Sequence, residues 1–322
     1  MIVRFGFVAM ALDLQNASPS KAMTLTTFHK IDDRKGALLR VIRIAQENLA
    51  NTLRILKYAY YEGIHLYRFS SKLIPLYGHE VTQSVNFMEV LREPLEAIGS
   101  YVQERDLRVS FHPDHFTVLN SPKIDVFENA LRVLERHVDL LETMGLTATS
   151  KLNIHVGGAY GDKVGAIQRL VDRWGKVPQR VKQYLIFEND DKTYTARDTL
   201  NVCQTLGVPM TLDVHHHQCN PGEDEDLTPI LPAIFHTWEE TDLVPKVHLS
   251  SPKSDKEFRT HADFVDAGAV CRFLDMARTL DTDIDIMIEA KKKDQALKQL
   301  MHDLGHVDGV TVLDGGTIRY KP

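Results

Sequence analysis

MTLDVHHH (residues 210–217) is a short β-type run that ends, where turn residues are expected, in a carboxylate and three imidazoles. SFHP (110–113), NIHVGG (153–158), IFENDD (186–191), KVHLSS (246–251) and MIEAK (287–291) finish the same way. Working outward from these, short apolar runs at 2–8, 65–69, 108–111, 151–156, 184–187, 210–214, 246–249 and 285–288 read as strands. Amphipathic helical patterns alternate with them at 35–61, 87–105, 126–144, 163–174, 196–206, 229–238, 264–280 and 294–304. Regular βα alternation implies a parallel sheet with helices outside, and eight units is the number that closes a barrel. The spacing therefore predicts an α/β fold, a TIM-type (β/α)8 barrel, as a single domain over residues 1–322. Gly63, Gly145, Gly207 and Gly305 stand just past helical runs, where a left-handed terminal glycine is expected. Residues 12–34 and 220–227 read as long loops, the second of them acidic.

With 43% hydrophobic and 25% charged residues, the 322-residue chain is composed like a soluble globular protein, which excludes disorder, collagen and a coiled-coil rod. A formal charge of −6 gives no general attraction to nucleic acid, although a locally basic or metal-filled cleft overrides the total. Cys203, Cys219 and Cys271 are far apart and form no CxxC pair, so they read as reduced thiols of a cytoplasmic protein. The opening MIVRFGFVAMAL is short and is followed at once by Asp13, which makes it a first buried strand rather than a signal peptide. No stretch reaches the ~18 apolar residues of a membrane span.

In a barrel of this type the carboxyl ends of the strands build the active face. His112, His155, Glu188, Asp213, His216, His248 and Glu289 should therefore converge from distant parts of the sequence. Burying that many uncompensated polar groups costs of order 2 kcal/mol or more each unless they coordinate something. Imidazole with carboxylate and no thiolate suits Zn²⁺, Mn²⁺ or similar divalent ions better than Ca²⁺. So many ligands exceed one tetrahedral site. A carboxylate able to bridge, such as Glu188, points to two or three metals, the arrangement that clamps attacking and leaving oxygens in phosphoryl displacement. Strand parity puts Lys246 with His248, and Asp213 with His215, on the interior face. His216 has the opposite parity, so the HHH run leaves open which histidine ligates. His29, His137, His236, His302 and His306 fall on loops or helices and read as ordinary structural histidines.

LYRFSS (66–71), SFHPDHFTVLNSP (110–122), NIHVGGAYGDK (153–163), FENDDKTYT (187–195), LDVHHH (212–217), PKVHLSSPKS (245–254) and MIEAKKKD (287–294) together resemble the UV damage endonuclease family over essentially the whole chain. The resemblance implies an endonuclease IV-like barrel and a cluster of divalent metals, commonly manganese, with zinc, cobalt or magnesium as alternatives. It also implies metal-assisted nicking of UV-damaged double-stranded DNA immediately 5′ of the photoproduct, leaving a 3′-hydroxyl and a 5′-phosphate. By the same resemblance His112 and His155 hold one metal and Glu188 bridges it to a second. Asp213, His248 and Glu289 complete that second site, while His216 and His261 hold a third. His79, in LIPLYGH (73–79), matches a family active-site histidine that binds metal or phosphate. Lys246 matches a position reported as a carboxylated lysine, the plain alternative being an unmodified lysine on the scissile phosphate. Glu188 and Lys246 are thus the catalytic candidates.

HPDHF (112–116) departs from the family by placing His115 and Phe116 where some members carry a Gln-Tyr pair that probes the lesion. A planar ring beside an aromatic still suits a wedge into a base step. Phe7 and Met10 also replace more polar family residues. Lys21, Lys30, Arg34, Lys35, Lys253, Lys256, Arg259 and the lysines at 291–293 would form a basic rim for the DNA backbone. The chain is expected to work as a monomer, associated with the nucleoid when on DNA, with no membrane partner. The same barrel and ligand chemistry also serve metal-dependent sugar isomerases, which need neither wedge nor basic rim. A DNA- or metal-binding protein without catalysis is the non-enzyme reading.

Overall fold

The computed structural model describes residues 1–223 and 225–321. Eight strands, β1 (Ile2–Val8), β2 (Leu66–Arg68), β3 (Arg108–Phe111), β4 (Lys151–His155), β5 (Leu185–Glu188), β6 (Met210–Asp213), β7 (Lys246–Leu249) and β8 (Ile284–Ile288), pair in parallel with their sequence neighbours. β1 pairs with both β8 and β2, which closes the sheet into a (β/α)8 barrel. Twelve helices surround it: α1 (Leu25–His29), α2 (Arg34–Tyr61), α3 (Phe87–Val90), α4 (Arg92–Glu104), α5 (Ile124–Thr143), α6 (Lys163–Arg173), α7 (Gln179–Lys182), α8 (Ala196–Leu206), α9 (Val214–Cys219), α10 (Leu231–His236), α11 (Ala267–Ala277) and α12 (Lys293–Leu304), counted among the described residues.

Local sequence explains the ends. Asp33 caps α2 by accepting from Lys35 N and Gly36 N, and Thr195 with Asp198 forms a capping box on α8. Gly207 ends α8 in the left-handed region at φ 64°, and Gly63 and Gly145 are also left-handed. Gly305 is not: it sits at φ −62°, because the chain continues in tight turns from Asp303 to Val307. The segment 12–34 is not wholly loop, since Thr24 caps the short α1 within it. The acidic loop at 220–227 includes Asp224, which lies outside the described residues.

The strands bury Phe5, Phe7, Phe187, Leu212, Val247 and Ile286 completely. Each such side chain contributes about 1.5–3 kcal/mol. Phe7 packs edge-on against Tyr67 with centroids 5.5 Å apart, so its ring belongs to the core. Gly6 is required by close approach: a Cβ there would stand 2.3 Å from Leu66 O, so alanine would force β1 away from β2 and open the barrel seam. One feature lies outside the βα alternation. β9 (Val310–Val312) and β10 (Thr317–Tyr320) form an antiparallel hairpin whose second strand pairs with the start of β1.

The lower part of the barrel interior is charged. Asp285, fully buried, accepts from Arg4 Nε and Nη2 at 2.7 Å each and from Arg108 Nη1 at 2.6 Å. Lys246, the first residue of β7, is 2% exposed and donates to Ser110 Oγ at 2.6 Å.

Candidate metal centre

Two residues above that layer, the strand ends bring their ligands together. Ligand atoms of His112 (after β3), His155 (end of β4) and Glu188 (end of β5) lie within 4.8 Å of one another. Those of Glu188, Asp213, His248 and Glu289 do the same, so Glu188 belongs to both groups. His112 Nε2 is 3.3 Å from Glu188 Oε2, and His248 Nδ1 is 3.2 Å from both Glu188 Oε2 and Glu289 Oε1. Glu188 Oε1, Asp213 Oδ2, His155 Nδ1 and His248 Nε2 are buried without a hydrogen-bond partner. Such atoms cost free energy unless a cation satisfies them.

Tautomers are set from behind. Nδ1 of His112 faces Pro113 O at 3.0 Å, that of His216 faces Asn189 O at 3.0 Å, and that of His261 faces Glu289 O at 2.6 Å. A carbonyl only accepts, so each Nδ1 carries a proton, and in the neutral ring Nε2 keeps the free lone pair. That is the usual outer support of a metal-binding imidazole. Burial lowers His155 and His248 against the pull of Glu188, toward the neutral form that ligates.

The charges show what is missing. Burial, only partly offset by His216, pushes the Asp213 carboxyl up to about 8. Burial would also raise Glu188, but His248 and His155 outweigh it and hold it well below the usual carboxylate range. Glu289 is held low against burial by Arg68, with which it forms an ion pair, and by His248. His216 is raised to about 11: burial lowers it, and Asp213 and Glu188 overcome that. Carboxylates that recruit protons in this way are short of positive charge, which divalent ions would supply. The donor set therefore fits divalent metals, with Glu188 common to both groups.

A family model described as UV-endonuclease UvdE matches residues 3–321. The chain belongs to the UvdE family. It is 46% identical over 323 residues to the UV DNA damage endonuclease of Bacillus velezensis, covering 100% of both chains, and 42% identical to that of Bacillus cereus, covering 99% and 100%. The crystal structure of SacUVDE superposes with TM-score 0.81 at 28% identity, covering 91% of this chain and 95% of that one. The 3-keto-D-glucoside 4-epimerase YcjR from E. coli gives TM-score 0.53 at 13% identity, covering 93% and 98%, a likeness of fold alone.

In this UvdE chain the HHH run resolves differently from strand parity. β6 stops at Asp213, which caps α9 by accepting from His216 N at 2.7 Å, so the residue three along turns toward Glu188. His215 is instead buried against Phe258 and His261. The expectation that Asp213 and His215 share the interior face fails because the backbone has already turned helical. Lys246 and His248 do share it. His216 and His261 stand with ring centroids 6.3 Å apart beside the two groups. His79 joins neither group; it caps a single turn of 3-10 helix, Nδ1 accepting from Val81 N at 3.3 Å.

His115 and Phe116 project from the rim, 70% and 76% exposed, with centroids 4.0 Å apart. They border a cavity of 840 Å³ that reaches His155 and His216. Lys21 and Lys253 are paired with Glu47 and Glu257, which reduces the basic rim expected there. Arg68 and Asn153 went unread in the sequence. Asn153 hydrogen-bonds to Glu188, and its parity with His155 was the available signal; Arg68 ends β2 as the ligands end theirs. Among the described residues no helix is long and apolar enough to cross a membrane.

Proposed function

We propose that this chain is a metal-dependent endonuclease acting on UV-damaged double-stranded DNA, cutting immediately 5′ of the photoproduct. The shared position of Glu188 between two ligand groups, in a chain of the UvdE family, carries the reading. Divalent ions held there, manganese first and zinc, cobalt or magnesium as alternatives, supply Lewis acidity toward the phosphodiester and a nucleophile from water near neutral pH.

The chain's own groups define the rest. His112 and His155 with Glu188 would hold one ion, Glu188, Asp213, His248 and Glu289 a second, and His216 and His261 a third. Arg68 and Asn153 orient Glu289 and Glu188. Lys246 is kept far below its usual range by burial and by Arg108 and Arg68. A neutral amine is the form that takes up CO2, which supports a carboxylated Lys246 over a cation on the phosphate. His79, its Nδ1 accepting, carries its proton on Nε2 and so suits a phosphate oxygen better than a metal. His115 and Phe116 stack against the opened base step, while the cavity of 370 Å³ lined by Arg68, His112 and Glu188 receives the phosphate. The protein works as one barrel domain and a monomer in the cytoplasm, on the nucleoid when bound to DNA.

Incision of UV-irradiated supercoiled plasmid, with and without a chelator, tests the reading. Metal-dependent nicking of irradiated plasmid alone is expected. Turnover on a ketose panel without nicking would favour the isomerase chemistry of the same fold.

A further inference from the structure

The loop after β4, VGGAYGD (156–162), carries a tyrosine that belongs to no part of the hydrophobic core and is nevertheless fixed in place. Tyr160 is 48% exposed, and its backbone sits in the left-handed region at φ 52°. A bulky side chain adopts that conformation only at a cost, and such strain persists where the surroundings over-determine it.

The surroundings are a buried clasp. Asn120, fully buried, donates from Nδ2 to Gly158 O at 2.9 Å and to the Tyr194 hydroxyl at 3.0 Å, and its Oδ1 accepts from Gly158 N at 3.2 Å. Tyr194, also fully buried, donates its hydroxyl to Gly158 O at 3.1 Å. The loops after β3 and β5 thus hold both backbone polar groups of Gly158. The Tyr160 ring lies on the bare face of that glycine, where a Cβ would stand 3.0 Å from Cε2. Arg169 of α6 donates from Nε to Asn120 O at 3.2 Å and keeps its guanidinium carbon 6.0 Å from the centre of the Tyr160 ring. The clasp grips the loop through backbone groups and so needs no side chain at 160; the ring is what it presents.

Where the ring is presented gives it a use. Tyr160 and Phe116, exposed aromatics from separate loops, both line the 840 Å³ cavity, together with the ligand candidates His155 and His216. An aromatic face held rigidly at such a place suits stacking with a nucleobase, since every base offers a π-face. A base at a photoproduct costs less to bring out of the helix than one in intact duplex. A platform that engages only an unstacked base therefore turns weakened stacking into preference for damage.

We propose that Tyr160 is a specificity-determining residue of the nuclease, its ring the platform on which an unstacked nucleobase of the bound duplex rests in this cavity. The inference rests on the UV-damaged-DNA reading and names a side chain through which that substrate is discriminated. The base comes either from the photoproduct or from the strand opposite it.

Mn²⁺-loaded protein is assayed for incision of a duplex with one cyclobutane thymine dimer, with undamaged duplex as competitor. Tyr160→Leu should raise KM on the dimer duplex about tenfold, leaving kcat within about twofold and inhibition by undamaged duplex unchanged. Tyr160→Phe keeps the ring and should behave as wild type, and both variants should melt with it. A second duplex carries abasic tetrahydrofuran residues opposite the dimer. If the gap between wild type and Tyr160→Leu closes on it, the stacked base belongs to the opposite strand; if the gap persists, it belongs to the dimer. An unchanged KM in Tyr160→Leu, an equal weakening toward undamaged duplex, or a Tyr160→Phe as impaired as Tyr160→Leu overturns the proposal while wild-type incision leaves the nuclease reading standing. Absence of a dimer-directed cut by wild type removes the reading, and the proposal with it.

Discussion

Two layers of one barrel interior treat buried charge in opposite ways. In the lower layer Asp285 has both oxygens satisfied by Arg4 and Arg108. In the upper layer Glu188 and Asp213 each keep an oxygen without a partner, although histidines crowd around them. Satisfied charges hold a structure together, and unsatisfied ones of one sign hold a place for something else. Burial alone therefore does not separate a structural network from a binding site; the orphaned oxygens do.

That contrast is open to direct attack. The largest effect is expected from Glu188→Gln: incision should fall on the order of 10³-fold or more, with damaged-DNA binding still measurable by gel shift. The change removes a charge on which His216 and His248 lean but also the like charge beside Asp213, so thermal melts of the metal-free protein should show a smaller loss of stability than Asp285→Asn. Asp285→Asn reverses the pattern. It leaves the buried Arg108 and the partly exposed Arg4 without their acid and should cost about 3–5 kcal/mol in urea unfolding, with incision per folded molecule largely kept. A mild Asp285→Asn together with a destabilising Glu188→Gln would break the distinction between the layers.

Metal removal sharpens it further. Readdition of Mn²⁺ at about 100 times its Kd should restore roughly 2.7 kcal/mol of stability lost on chelation, and much less in Glu188→Gln, as read by thermal shift. The smallest effect concerns the rim. Phe116→Ala should leave melting unchanged and lower discrimination for irradiated over undamaged duplex by about 1–3 kcal/mol, one stacked base, in competitive binding.

The upper layer was legible in the sequence because its ligands end strands whose order the βα alternation already dictates. His112, His155, Glu188, Asp213, His248 and Glu289 needed only the fold to be brought together. His216 was ambiguous because period-two reasoning assumes extended backbone, and β6 gives way to a helix at Val214. The lower layer was unreadable for another reason: Arg4, Arg108 and Asp285 look like ordinary strand polar residues until the barrel closes and sets them face to face. The C-terminal hairpin escaped because its strands are short and lack the intervening helix that marked every other unit.

The most direct measurement is incision of a duplex carrying one defined photoproduct, mapped at nucleotide resolution with Mn²⁺, with chelator, and with Glu188→Gln. A single Mn²⁺-dependent cut immediately 5′ of the lesion is expected, leaving a 3′-hydroxyl, absent both in chelator and in the variant. Equal cutting of undamaged duplex, or a cut that survives both chelation and Glu188→Gln, would contradict a damage-directed nuclease centred on the bridging glutamate.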